Sequence, residues 1–433
     1  MTAINTEVRS FERSIGGFFN LLEVDVRMVS MVLVLALIWI GFQIMTGGNF
    51  ITPRNLWNLA VQTSVVGIMA TGMVFMLIMR NVDLSIGSIL GFSGMLMAII
   101  QVEWLPPYLG LGHPLLWIAA VLLGIIAATL IGMFQGVICA YGAVPSFIVT
   151  LGGLLVFRGA AWWVASGRTV APMDETFQMI GGGITGSIGA AASWIFAAVV
   201  AVLITINAYR ARLRRKHFGF PLKPLWAEFL VTGIAVAAII GFVAVMNAYP
   251  LPVTVAEDIW KERGVELAEG SPVPPIARGI PIPVLIMLAV AAAMAFLARR
   301  TRFGRHVYAI GGNPEAAKLG GIHVKRMTVA TFALMGLVTG IAAAIATARL
   351  NAGANATGTL AELTTIAAAV IGGTSLGGGV GTVVGALLGA LVMQSLSSGM
   401  VLVGIDTPMQ NIVIGVVLVT AVWLDTMYQK LKR

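Results

Sequence analysis

The sequence predicts an all-α integral membrane protein, a polytopic bundle of about 10–12 transmembrane helices. Of its 433 residues, 58% are hydrophobic and only 10% are charged, whereas an ordinary soluble domain carries roughly 25% charged residues. So few charges cannot cover a soluble globule of this size. Apolar stretches of roughly 20 residues, the length that crosses a hydrocarbon core of about 30 Å, recur along the chain. Lipid is therefore the expected solvent for most of its surface.

Twelve apolar runs are candidate spans. They lie at 28–46, 57–79, 84–101, 115–139, 146–165, 193–209, 226–247, 282–298, 327–348, 361–376, 380–404 and 409–425. The first run lacks a small-residue cleavage signature after it, so we interpret it as a retained span rather than a signal peptide. The run at 361–376 is short for a complete crossing, which makes it a candidate re-entrant segment lining a cavity.

Charged residues between the runs predict the orientation of the chain. The net charge is +9, but the basic residues cluster between apolar runs, which indicates membrane topology rather than nucleic-acid binding. We expect a transmembrane domain at 28–427. Because Lys and Arg favour the cytoplasmic side, five regions within or beside this domain can be assigned to a side of the membrane. The cytoplasmic ones are the N-terminal segment 1–27, the loops 210–225 and 299–326, and the tail 428–433, and the acid-rich segment 248–281 lies outside. That outer segment is either a solvated connector or carries a short surface helix within 253–270.

The sequence offers little support for catalysis by this chain. Cys139 is the only cysteine, which excludes an intrachain disulfide and a Cys-based zinc site, and the four histidines are too scattered to suggest a metal site. No Gly-Lys-Ser or Gly-Lys-Thr sequence is present, so the chain lacks the phosphate-binding loop of an ATPase. Energy for transport must then come from a partner ATPase or from an ion gradient. The glycine-rich stretch 372–379 has no lysine and predicts a helix break.

Pairs of glycines spaced four residues apart predict close contacts between helices. They are Gly87 and Gly91, Gly132 and Gly136, Gly381 and Gly385, and Gly385 and Gly389. On a helix each pair lies on one face, where a neighbouring backbone can approach.

The polar segment 308–322 predicts a short helix on the cytoplasmic side. Asn313 is a suitable N-cap, Pro314 suits the first helical position, and Glu315 complements the positive end of the helix. Gly320 or Gly321 would end it after barely two turns. Such a helix either docks in a groove on a partner protein or is an ordinary loop helix.

Several short motifs between about residue 55 and residue 423 occur together in one known family. They are 71–75 (Thr-Gly-Met-Val-Phe), 83–88 (Asp-Leu-Ser-Ile-Gly-Ser), 144–151 (Val-Pro-Ser-Phe-Ile-Val-Thr-Leu), 157–159 (Phe-Arg-Gly), the segment 308–322, 361–363 (Ala-Glu-Leu) and 370–376 (Val-Ile-Gly-Gly-Thr-Ser-Leu). In combination they resemble the permease subunits of bacterial ATP-binding-cassette importers of monosaccharides, of the ribose and xylose type. Such permeases have about ten spans, fewer than the twelve runs counted here.

The resemblance implies a permease subunit that moves a monosaccharide, D-xylose or a related sugar, into the cytoplasm. It implies a periplasmic sugar-binding protein that delivers the sugar, a cytoplasmic ATPase subunit that binds ATP and Mg²⁺, and a second permease, expected to be an identical copy in a homodimer. This chain would itself carry no cofactor. The expected location is the bacterial inner membrane, with both termini in the cytoplasm.

Within segment 308–322 the resemblance also implies a loop that couples the permease to the ATPase. The residues that match it are Gly312, Asn313, Glu315, Ala316, Ala317 and Gly320.

Polar residues in or beside apolar runs are the candidate lining of the sugar pathway, because burying a charge in a bilayer costs at least about 2.5 kcal/mol. The candidates are Asp83, Ser85, Glu362 and Gln394, and Arg158, Gln62, Gln135 and Asn411 are further polar residues of this kind. A neutral sugar requires hydroxyl partners, so we expect a polar, largely uncharged lining. Asp83 also lies close to a predicted span end, where a snorkelling side chain costs little.

Two other classes of protein remain open at this point. An ion-coupled secondary sugar transporter would place ionisable groups at the bilayer midplane, and few are present. An intramembrane enzyme would need a nucleophile and base or a set of metal ligands, neither of which is evident.

Overall fold

The computed structural model describes residues 26–265 and 272–431. Most of the predicted N-terminal segment, part of the outer segment and the last two residues of the tail lie outside the described residues. The helices are α1 Val26–Met45, α2 Pro53–Ile78, α3 Ile86–Ile99, α4 Pro106–Leu109, α5 Leu115–Tyr141, α6 Ser146–Val164, α7 Glu175–Ile180, α8 Gly189–His217, α9 Leu225–Asn247, α10 Val253–Glu262, α11 Ile282–Arg300, α12 Arg302–Gly312, α13 Pro314–Leu319, α14 Val324–Leu350, α15 Ala361–Ile371, α16 Val383–Leu402 and α17 Thr407–Leu431.

The prediction of a polytopic helical membrane protein is confirmed. Ten helices within the described ranges are long and apolar enough to cross a membrane. Two predicted runs fall on shorter apolar helices, α15 and the 407–423 part of α17. Many large apolar side chains on the outside of α5, α6 and α8 are exposed, as expected for helices whose outer faces contact lipid.

The chain divides into two compact units, and the described residues of the smaller one are those up to Leu33 and those within Ile188–Ile280. Its helices α8 and α9 pack side by side, and Arg212 of α8 forms an ion pair of 2.7 Å with Glu228 of α9. The outer segment 248–281 contains helix α10 at Val253–Glu262, so the surface-helix alternative holds for its first part. The backbone at 276–278 pairs with the backbone just before α10. Leu251 N donates to the Ile276 carbonyl at 2.8 Å, and Arg278 N donates to the Tyr249 carbonyl at 3.2 Å.

The larger unit contains Val34–Ser187 and Pro281–Arg433. Its central helix is α2, in which every residue from Gly67 to Ile78 is buried. Helices α11, α14, α15 and α16 pack around α2. Since α2 is enclosed by protein, its polar residues can face the interior of the unit rather than lipid.

Helices α5 and α14 show why the glycine spacing matters. An added Cβ at Gly136 would lie 2.9 Å from the Cα of Val329 on α14, and one at Gly132 would meet the carbonyl of Phe332. Gly336 and Gly340 on α14 lie equally close to the backbone of α5. The two helices therefore pack backbone against backbone, as the Gly132 and Gly136 spacing predicts.

Candidate functional site

The segment 351–360, between α14 and α15, is the first unusual element of the larger unit. It contains no helix, and it begins at Asn351, whose left-handed backbone (φ 53°) ends α14. An added Cβ at Gly353 would lie 2.5 Å from Ala98, near the end of α3, and one at Gly91 would lie 2.6 Å from the Thr357 carbonyl. Toward the start of α3, Gly87 contacts Gly358. The irregular segment thus runs alongside a membrane span.

Segment 351–360 and α15 together form one broken span. Helix α15 has 11 residues, which at 1.5 Å per residue covers roughly 16 Å, about half of the hydrocarbon thickness. The expectation that 361–376 is not a complete span is therefore supported, and the missing half is the non-helical stretch before it. After α15 the predicted glycine break is present, with positive φ at Gly373, Gly378 and Gly379. Irregular backbone at membrane depth is tolerated where protein buries it or where it lines a cavity.

Arg158 of α6 holds the irregular segment in place. Its Nη1 donates to the carbonyls of Asn355 at 3.0 Å and Thr357 at 3.1 Å. Glu362 lies in the first turn of α15, is buried, and contacts Gly87 of α3. A carboxylate in this position complements the positive end of the α15 helix.

A cavity of about 430 Å³ opens beside the broken span, within the size range of small-molecule sites. It is lined by Gln62, Val65, Val66 and Met69 of α2, Leu90 of α3, Ala346, Arg349 and Leu350 of α14, residues 357–361 and Thr364, Gln394 and Ser397 of α16, and Thr407, Gln410, Asn411 and Ile414 of α17. Within it the amide of Gln394 donates to Oε1 of Gln62 at 2.7 Å. Arg349 is the one charged residue among the described lining residues. The lining is thus mixed apolar and amide-hydroxyl in character.

The cavity lies far from the C-terminal end of α2. Met69 and Gln62 are 9 and 16 residues before Ile78, which corresponds to roughly 14 and 24 Å along the helix. Of the four pathway candidates from the sequence, Gln394 lines the cavity, whereas Glu362 is buried beside it. The sequence did not single out residues 357–360, although the Gly- and Asn-containing stretch ahead of a short apolar run was a usable signal.

Asp83 and Ser85 belong to a different cluster. Asp83 Oδ1 accepts hydrogen bonds from the backbone N–H of Ser85 at 2.9 Å and from its hydroxyl at 2.6 Å. Gln135 of α5 donates to the Ser85 hydroxyl at 3.0 Å. Asp83 is 1% exposed, so the expectation of a snorkelling side chain is wrong. This cluster joins the start of α3 to α5 and does not line the cavity.

At the other end of α2 lies the helix pair α12–α13. Thr301 caps α12, and the Oδ1 of Asn313 accepts from Glu315 N at 3.1 Å and from Ala316 N at 3.0 Å. Pro314 opens α13 and Gly320 follows its last residue. The predicted cap, first residue and stop of this short helix are all confirmed. Helix α12, which was not predicted, precedes it.

Helix α13 exposes most of its surface. Glu315, Ala316 and Lys318 are exposed, and Leu319 is 90% exposed, whereas Ala317 is buried at 7%. An apolar side chain held almost fully in the open on a short capped helix is suited to contact with another protein. The sequence analysis did not select Leu319, because its exposure depends on which face of α13 packs against the unit.

A bundle of membrane spans with a broken helix beside a polar cavity defines a solute-transport permease. The chain belongs to the family described as branched-chain amino acid transport system / permease component, whose family model matches residues 55–422. It is 38% identical to the xylose transport system permease protein of Haemophilus influenzae, over 95% of this chain and 99% of that protein. It is 37% identical to the xylose transport system permease protein of Escherichia coli, over 97% of both chains. Identity to the ribose import permease protein of Escherichia coli is 30%, over 88% of both chains. No solved structure matches the chain.

Proposed function

We propose that this chain is the membrane-spanning subunit of an ATP-driven importer that carries a monosaccharide, D-xylose or a related sugar, into the cytoplasm. The observation that carries the proposal is the cavity beside the broken span, whose amide and hydroxyl groups suit a neutral, hydroxyl-rich solute. A zwitterionic amino acid would need a partner for its ammonium group, and the described lining residues include no carboxylate. The names and near-complete coverage of the xylose relatives support the same substrate class.

We assign sugar contact to Gln394 and Gln62, since each can exchange their mutual hydrogen bond for bonds to sugar hydroxyls. Asn411, Thr364 and the backbone of residues 357–361 complete this polar lining. The role we propose for Glu362 is to support the broken span from behind the cavity. For Asp83 and Ser85 we propose that they position the start of α3 and do not touch the sugar.

The proposed orientation puts α13 in the cytoplasm and the cavity toward the periplasmic side. A basic cluster lies shortly before α13 in the chain, at the end of α11 and in α12, and it favours the cytoplasmic side. Its members are Arg299, Arg300, Arg302 and Arg305. With that orientation the α8–α9 turn and both termini are cytoplasmic, and segment 248–281 is periplasmic. A periplasmic binding protein would then deliver the sugar at the cavity side.

The proposed ATPase dock is α13. Its exposed residues Glu315, Ala316 and Leu319 would enter a groove on the ATPase, with Gly312, Asn313 and Gly320 setting the helix ends. Ala317 faces inward, so its proposed role is to seat α13 on this chain. The ATPase partner would bind ATP and Mg²⁺, and the second permease is proposed to be another copy of this chain.

Uptake by proteoliposomes that contain this chain, the ATPase and the binding protein tests the proposal. Labelled D-xylose should accumulate only when ATP is supplied, and an ionophore that collapses ion gradients should leave the uptake unchanged. Uptake without ATP, or its loss on addition of the ionophore, would instead support an ion-coupled transporter. D-Ribose and L-arabinose as competitors would define the sugar.

A further inference from the structure

The corner between α12 and α13 is fastened to the C-terminal end of α2. Arg80 Nε donates to the carbonyl of Gly311 at 3.1 Å, and its Nη2 donates to the carbonyl of Gly312 at 3.1 Å. These are the last two residues of α12, whose carbonyls have no acceptor role inside the helix. A guanidinium at this position both satisfies them and complements the negative end of α12.

The backbone conformation of Arg80 is one that disfavours a residue with a side chain. Arg80 follows the C-cap of α2 with a left-handed φ of 60°, a position that glycine usually fills because a Cβ is strained there. Gly311 packs so closely that an added Cβ would meet the Ile78 carbonyl. The ends of α2 and α12 thus meet backbone to backbone, with one arginine bridging them.

The same corner is joined to the start of α16. Gly379 N donates to the Ile78 carbonyl at 3.0 Å, and the hydroxyl of Tyr308 on α12 donates to the Gly381 carbonyl at 2.7 Å. Burial raises the pKa of Tyr308, which favours the protonated phenol that donates this bond. Thr382 then caps α16.

Both helices that meet this corner also line the cavity. Helix α2 supplies Gln62, and α16 supplies Gln394, and the two side chains are hydrogen-bonded to each other. The corner between α12 and α13 is therefore connected to the same amide pair through two helices, α2 and α16. Rigid helices and hydrogen-bond networks of this kind carry energetic coupling between distant sites in proteins whose elements have two arrangements.

We infer that Arg80 and Tyr308 are positioning residues that transmit movement of the docking helix α13 into α2 and α16, and so to the Gln62–Gln394 pair. The inference rests on the proposed function, because it assumes that an ATPase moves α13. Neither residue touches the sugar. Their role is to make the cavity respond to the ATPase.

The test is the number of ATP molecules hydrolysed per sugar imported by the complete importer in proteoliposomes. Arg80→Gly removes the side chain while keeping a residue that tolerates positive φ, and Tyr308→Phe removes one hydroxyl. The double variant should retain the ATPase, yet its ATP cost per sugar should rise roughly tenfold, a typical size for coupling between sites. Arg80→Lys keeps the charge but cannot bridge two carbonyls in the same way. Its ATP cost per sugar should lie between those of the unaltered chain and the double variant.

Ser166→Gly is the matched control, since Ser166 also has positive φ (50°) and is exposed on a different loop. Its ATP cost per sugar should equal that of the unaltered chain. An unchanged ratio in the double variant would overturn the inference while leaving the proposed function standing. Absence of ATP-dependent uptake by the unaltered importer would overturn both.

A distance measurement keeps the test decisive if the double variant assembles poorly. In a Cys139→Ser background, spin labels at Lys318→Cys and Ser397→Cys report on α13 and on the cavity end of α16. Addition of a non-hydrolysable ATP analogue to the importer assembled with its ATPase should change the distance between the two labels when Arg80 and Tyr308 are intact. Tyr308→Phe alone should reduce that change, and an undiminished change would contradict the inference.

Discussion

Gln394 donates a 2.7 Å hydrogen bond to Gln62, and this contact joins α16 to α2 within the polar cavity. The two residues are 332 positions apart in sequence. Each amide has further donor or acceptor capacity beyond this bond. In the proposed function the sugar therefore contacts this pair, which also joins the two helices proposed to move.

Replacing Gln394 with leucine should weaken sugar recognition. The substitution keeps approximate size but removes the donor, and a polar partner left unpaired costs about 1–3 kcal/mol. We expect a rise of roughly 5- to 150-fold in the sugar concentration for half-maximal uptake, measured in proteoliposomes. Gln43→Leu, in α1 and outside the cavity lining, should leave that concentration unchanged. Equal effects of the two variants would remove Gln394 from the proposed site.

Replacing Gly91 with alanine should destabilise the broken span. Its Cβ would lie 2.6 Å from the Thr357 carbonyl, and a backbone atom cannot move aside cheaply, so we expect a loss of about 1–3 kcal/mol. Thermal unfolding of the purified chain in detergent measures the effect. Gly152→Ala in α6 has open space around the new Cβ and should be neutral or stabilising by up to about 1 kcal/mol. A normal melting temperature for Gly91→Ala would contradict the packing described here.

Replacing Leu319 with aspartate should weaken binding of the ATPase while leaving the folding of this chain nearly unchanged. Leu319 is 90% exposed, and exposed substitutions usually change stability by less than about 0.5 kcal/mol. Binding of the ATPase in a pull-down or by surface plasmon resonance should nevertheless weaken by roughly tenfold or more, since interface hot spots carry about 2 kcal/mol or more. Phe218→Asp, which alters another exposed apolar residue just beyond α8, is the control and should bind normally. Normal ATPase binding by Leu319→Asp would count against α13 as the dock.

Replacing Asn313 with alanine should loosen α13 without altering its exposed face. Asn313 accepts from two backbone N–H groups at the start of the helix, and loss of such a cap costs about 1 kcal/mol. Hydrogen exchange of the backbone amides of 315–319 should accelerate by roughly fivefold, the equivalent of that free energy. Asn313→Asp retains the acceptor and should restore protection. Equal exchange in all three proteins would show that the cap is not what holds α13.

The local elements of this fold follow directly from the sequence. The Asn313–Pro314 pair predicts the start of α13 because capping is decided by neighbouring residues. The apolar runs predict the spans because a bilayer demands about 20 apolar residues in a row. The spacing of Gly132 and Gly136 predicts a close helix contact, although it does not name α14 as the partner.

The arrangement of distant segments does not follow from the sequence. The neighbours of Asp83 in the sequence predict a residue at the edge of the membrane. In the structure Asp83 is hydrogen-bonded by Ser85, which is in turn bonded by Gln135. The break at 351–360 reads as an ordinary loop until α3 is found to pack along it. Leu319 becomes a candidate contact residue only when Ala317 is seen to take the inward position.

By itself, the sequence determined that this protein crosses the membrane many times, and that a short capped helix, whose first residue and end it predicted, follows a basic loop. These properties depend on hydrophobicity and on hydrogen bonds between near neighbours. Only the tertiary structure decided which polar residues meet in the cavity and that Arg80 fastens α12 to α2. Such contacts join residues hundreds of positions apart, and they depend on how whole helices pack against one another.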